Sequence, residues 1–175
     1  MFSSEIYEVE DCIFYDPLTT DHSKWVITGS MSTNEHNSNG WKFGNGSGLV
    51  WIDITNYAHD GNIAIEYTPT EAYSGSNGTY APIMIYFEKD SSNRAYVSQR
   101  NTGVQVNSSN VISHNVQLNN EYRVEYTGSS VTCIYDGVTI GTGTHSLGNT
   151  GITPRLATGA NGRYCRIKDF KIKPL

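Results

Sequence analysis

The chain has 175 residues, of which 37% are hydrophobic and 17% charged, and it carries a net charge of −5. That length favours one folding unit with its own core, and the sparse, acidic charge argues against a broad basic face for nucleic acid. No apolar run reaches the roughly 18 residues that a membrane-spanning helix needs, so membrane insertion is not expected.

Residues 1–10, "MFSSEIYEVE", lack the basic stretch and apolar run of an export signal. Residues 1–11 read as an N-terminal extension or edge strand ahead of one domain over 12–175. From there the pattern alternates with period two and is broken by Gly, Asn and Ser clusters, which is strand chemistry. "CIFYD" (12–16) and "KWVITGSM" (24–31) come first, then "WKFG" (41–44) and "GLVWIDIT" (48–55). "NIAIEYTPT" (62–70) leads into a polar loop, "EAYSGSNGT" (71–79). "APIMIYFEKD" (81–90) and "RAYVSQRN" (94–101) form a hairpin over "SSN", followed by the shorter "GVQVN" (103–107) and "NVISHNVQL" (110–118). "YRVEYT" (122–127), "SVTCIYDG" (130–137), "VTIGTGTHS" (138–146), "PRLATGA" (154–160) and "GRYCRIKDFKIKPL" (162–175) complete the series. About a dozen short strands with tight connections predict an all-β chain of two antiparallel sheets packed face to face.

Alternation also assigns sides. Ile83, Ile85 and Phe87 should face the core, as should Ala95, Val97, Tyr122, Val124 and Tyr126. Met84, Tyr86 and Glu88 then point outward, with Tyr96, Ser98 and Arg100, and with Arg123 and Glu125. Asp136-Gly137 suits a two-residue reversal, because Gly takes positive φ freely and Asp tolerates it.

The order of these segments resembles the concanavalin A-like lectin/glucanase (laminin-G-like) superfamily. The likeness rests on "FYDPLTTDHSKWVITGSM", "IMIYFEKDSSNRAYVSQRNTGVQV", "EYRVEYTGSSVTCIYDGVTIGTG" and the closing "YCRIKDFKIKPL". It implies a jelly-roll β-sandwich and makes Trp25 a core anchor. It also implies a functional range of lectins, carbohydrate-binding modules, glycosidases, adhesins and phage tail domains. Fold alone does not choose among these.

Glycoside hydrolysis needs two carboxyl groups flanking the scissile bond. In the glucanase branch they resemble Glu-x-Asp-x-Glu on one strand. "VWIDITN" (50–56) keeps Asp53, but Trp51 and Thr55 stand where the flanking acids would be. Glu88 and Glu125 could approach each other on adjacent strands as a dyad, and the plainer expectation is ion pairing with Arg100 or Arg123. The five histidines, His22, His36, His59, His114 and His145, read as surface-loop residues, and no nucleophile elbow occurs. The chain is therefore expected not to be an enzyme.

Sugar sites combine aromatic rings with planar polar side chains. Tyr86, Glu88, Tyr96, Arg100, Arg123 and Glu125 are the candidate face, with Trp41, Tyr73 and Tyr80, beside Tyr57, as loop aromatics at its rim. The expected partner is a glycan or polysaccharide, met outside the cell or on a virion surface. A phage or viral tail role would bring homo-oligomerisation through the polar N-terminal stretch. A structural virion or surface-layer protein without glycan affinity is the remaining alternative. No cofactor is expected. A structural calcium ion would be in keeping with the superfamily, with Asp16, Asp21, Asp60, Asp90 and Asp169 available at turns, but no stretch has dedicated calcium-loop spacing. Three cysteines cannot all pair; a Cys12–Cys165 bridge is the one that would join the chain ends.

Overall fold

The computed structural model describes residues 12–45, 50–55, 57–73, 81–100, 102–107, 111–159 and 162–175. Every regular element among them is a strand, numbered in chain order. A wide sheet of eight runs β12 (Val138–Thr144), β11 (Ser130–Tyr135), β10 (Tyr122–Tyr126), β6 (Ile63–Tyr73), β14 (Tyr164–Pro174), β4 (Gly40–Asn45), β3 (Met31–Asn37), with β1 (Phe14–Asp16) also on β14. A narrow sheet of six runs β2 (Trp25–Thr28), β5 (Val50–Ile54), β13 (Thr153–Thr158), β7 (Ile83–Asp90), β8 (Asn93–Arg100), β9 (Gly103–Val106). All strand pairs are antiparallel.

The inner rows of both sheets meet in one core. Ile52, Ile85, Phe87 and Val97 of the narrow sheet pack against Trp41, Ile65, Tyr67, Val124, Tyr126 and Phe170 of the wide one. Burying each such side chain contributes about 1.5–3 kcal/mol, which is what holds the layers together. Trp25 belongs to this core. Its indole N–H donates to the buried Asp16 carboxylate at 3.0 Å, while the other Asp16 oxygen accepts the Leu18 amide at 2.8 Å. One carboxylate thus pins the segment that carries the chain from the wide sheet to the narrow one.

The Asp136-Gly137 reversal is present. Tyr135 pairs with Val138, and the two turn residues have φ of 49° and 70°, the double left-handed geometry of a type I′ hairpin. Two expectations fail. Residues 31–37, read partly as a polar loop, form β3, an edge strand whose inner side carries Asn34 and His36 opposite Phe43 and Trp41. Residues 111–118 of "NVISHNVQL" form no strand. Only Ile112 bridges, to Val104, while Val111 and Leu118 stay exposed. All three cysteines are free, with Cys133 and Cys165 buried.

Candidate functional site

The outer face of the narrow sheet carries a second apolar cluster, separated from the core by the sheet itself. It consists of Ala81, Met84, Tyr86 and Ala157, with Trp51 and Tyr96 packed on it. Alternation puts it there: Val50, Ile52 and Ile54 turn inward, so Trp51 and Asp53 turn outward. Register then lines up rows across the strands. Asp53 pairs with Arg155, Arg155 with Tyr86, and Tyr86 with Tyr96. In the next row Trp51 pairs with Ala157, Ala157 with Met84, and Met84 with Ser98. Because Ala157 is small, Trp51 leans across β13 and meets Tyr86 edge-on, with centroids 4.9 Å apart; Tyr86 and Tyr96 are 5.4 Å apart.

Polar groups border the rings. Arg155 binds Asp53 through two parallel bonds, Nε to Oδ1 and Nη2 to Oδ2, and its remaining Nη1 donates to Glu88. Its guanidinium carbon also lies 4.7 Å from the centre of the Trp51 ring. Burial works against the Arg155 charge, but the bonds to Asp53 and Glu88 outweigh it and raise the pKa. Burial likewise raises the Tyr86 phenol. A hollow of about 500 Å³ opens beside this cluster, lined by Asp53, Tyr57, Glu88, Lys89, Thr153 and Arg155. The arrangement offers ring edges, a fixed guanidinium and carboxylate oxygens. Those are contacts suited to a flat molecule rich in hydroxyl groups.

Of the residues expected at the site, Tyr86, Glu88 and Tyr96 come together here. Arg100 lies on the same face at the far end of β8, donating to Gln105 at 2.7 Å. Arg123 and Glu125 do not join them. They lie on β10 in the wide sheet, so their outward face is the opposite side of the molecule. There Arg123 bonds Glu66 and Glu125, and Lys173 bonds Glu66 at 2.8 Å, a lattice of paired charges. The Glu88–Glu125 dyad is ruled out for the same reason, and Glu88 pairs with Arg155 instead of Arg100 or Arg123. Trp41 is no rim aromatic. It is fully buried in β4, with its indole N–H on Asn34. Tyr73 ends β6 in the wide sheet, exposed and stacked on Tyr164 at 5.2 Å. Tyr80, like residues 1–11, lies outside the described residues.

Four of the five histidines are likewise not loop ornaments. His22 and His36 contact each other at 3.1 Å and both lie against Trp41, His114 bonds the Tyr122 hydroxyl, and His145 stacks on Tyr126. The five aspartates expected at turns do not converge. Asp16 and Asp21 hold nearby backbone amides, Asp60 accepts from Gly151, Asp90 caps its own turn, and Asp169 meets Tyr15 and Lys168. Among the described residues no group of three or more His, Cys, Asp or Glu is placed to hold a metal ion. Trp51, Asp53 and Arg155 were not picked as binding residues from sequence. The outward phase of "VWIDI" and "PRLAT" was the available signal.

No protein-family model matches the chain, and no curated protein matches it in sequence. Solved structures do match in shape. Apo Crh5 transglycosylase superposes with a TM-score of 0.62 at 14% identity, over 92% of this chain and 83% of that one. A Bacillus licheniformis beta-glucanase gives 0.58 at 12%, over 93% and 98%. The carbohydrate-binding module CBM66 from Bacillus subtilis gives 0.55 at 11%, over 86% and 95%. Enzymes and non-enzymes therefore share this architecture. The chain has the concanavalin A-like fold, a jelly-roll β-sandwich of two antiparallel sheets.

Proposed function

We propose that the chain is a non-catalytic glycan-recognition domain that binds its ligand on the outer face of the narrow sheet. The observation that carries this reading is the Trp51–Tyr86–Tyr96 cluster, an aromatic group on the solvent side of a sheet whose core is filled elsewhere. A sugar's apolar C–H face packs on such rings, and the flanking Arg155, Asp53 and Glu88 supply donors and acceptors for its hydroxyls. The carbohydrate-binding module with the same fold is in keeping with it. Polysaccharides and cell-surface glycans are met outside cells, so the domain works there or on a virion surface, as an adhesion module that can oligomerise.

A glycan array on the purified chain, repeated with Trp51→Ala and Tyr96→Ala, tests the proposal. Array signal that is lost in both variants while the fold persists supports it; binding that survives both overturns the assignment of the face. A hydrolase reading has one point in its favour, the transglycosylase and glucanase among the similar structures. Against it, Asp53 and Glu88 are both tied to Arg155, and Trp51 and Thr55 flank Asp53 where acids would be required. Turnover on a polysaccharide panel that disappears in Asp53→Asn or Glu88→Gln would reinstate it.

A further inference from the structure

We infer, resting on the glycan-binding reading, that the ligand is an acidic sugar whose carboxylate is received by Arg94. Arg94 enters β8 just after the turn and is exposed. Its guanidinium carbon lies 5.6 Å from the Tyr86 ring centre and 5.9 Å from that of Trp51. Among the described residues its side chain makes no hydrogen bond and no ion pair. Glu88 is its direct cross-strand partner, yet the Glu88 carboxylate turns to Arg155. The cation at the mouth of the site is therefore held by rings alone.

That placement has a chemical consequence. A guanidinium lying against aromatic rings keeps its N–H groups in plane and unoccupied, and their fork matches the two oxygens of a carboxylate. Tyr86 is only 9% accessible, so a neutral sugar in search of a bare ring face finds little of it. What the surface presents is the Arg94 fork beside the partly open Trp51 and Tyr96. The nearby carboxylates do not oppose an anion at full strength, because Arg155 neutralises part of the Asp53 and Glu88 charge. On the outer rows of this sheet Arg94, Arg100 and Arg155 equal Asp53, Glu88 and Asp90 in number, against a chain that is net acidic. The inference commits to carboxylate; a sulfate ester can also meet the fork through two of its oxygens, and it enters the test as the rival anion.

The test uses calorimetric titration of the full chain at one fixed ionic strength. The probes are uronic-acid oligosaccharides (glucuronate, galacturonate, mannuronate), sialylated oligosaccharides, the carboxyl-reduced form of each, and dextran sulfate. The expected result is about tenfold or greater preference for the best acidic oligosaccharide over its own reduced form, as one charge-assisted bidentate contact provides. Arg94→Ala should erase that ratio, and Arg94→Lys should restore only part of it. A wild-type ratio near one, a ratio unchanged in Arg94→Ala, or dextran sulfate binding equally well with the same dependence on Arg94 would each overturn the inference. The first two leave glycan binding itself standing. Failure to bind any glycan, acidic or reduced, sinks both.

Discussion

Replacing Glu66 with Gln separates the two outer faces. Glu66 is nearly buried on the wide sheet, where Arg123, Lys173 and Lys171 converge on it at up to 4.0 Å. Burial pushes its carboxyl upward, but the hydrogen bonds from Lys173 and Arg123 outweigh that and lower the pKa. Removing one member of a buried ion pair costs about 3–5 kcal/mol, whereas an exposed pair is worth about 0–1 kcal/mol. Here the carboxylate is 7% exposed but Arg123 and Lys173 are 29% and 32% exposed, so solvent screens part of the loss. Arg123 also keeps Glu125, and Lys171 keeps Glu121. An intermediate loss of about 2 kcal/mol follows, or a melting point lowered by about 4–8 °C for a chain of this size. The folded-state pKa is depressed, so the stabilisation is complete above the ordinary Glu range and disappears as pH falls through the folded value. Urea denaturation of wild type and Glu66→Gln, at neutral pH and through acid, should show a gap that closes on acidification. A gap that is absent, or that persists once Glu66 is protonated, refutes the charge-lattice account. Loss of glycan binding in a folded Glu66→Gln protein would return the wide sheet to candidacy as the site.

Trp41→Ala should cost about 3–5 kcal/mol, since it empties a fully buried position and strands Asn34 and the two histidines lying against the indole; a denaturation midpoint within error of wild type would contradict its place in the core. Burial pushes the Cys133 thiol up to about 12 and raises Cys165 as well. A thiol-specific chromogenic reagent should therefore label one cysteine, Cys12, in the native protein and all three after denaturation. Burial lowers the pKa of His36, His114 and His145. The folded chain then binds fewer protons than the unfolded one, so stability should fall as pH drops below about 6.5, read as a lower urea midpoint in mild acid. An unchanged midpoint across that window would count against those burials.

Period-two alternation told most of the fold, because inward Ile83, Ile85 and Phe87 need only the pleat to be assigned. It did not reveal which sheet a strand joins. Arg123 and Glu88 are both outward and both charged, and only the strand order puts β10 and β7 in different layers. Trp41 was misread because β3 shows polar residues on both sides. As an edge strand over an indole it tolerates Asn34 and His36 on its inner side, and no apolar alternation marks it. Arg155 was silent for another reason: a single Arg between Pro154 and Leu156 acquires meaning only when register sets it opposite Asp53 and Tyr86. Arg94 was invisible in the same way, since an unpaired cation is defined by what its neighbours choose instead.

The most direct test of the binding face is to titrate an isotope-labelled chain with an oligosaccharide identified on the array and follow its amide and indole resonances. The account predicts shifts at Trp51, Tyr86, Tyr96, Arg94 and Arg155, with Glu66, Arg123 and Lys173 unmoved. Shifts gathered on β6, β10 and β14, with the narrow sheet silent, would contradict it.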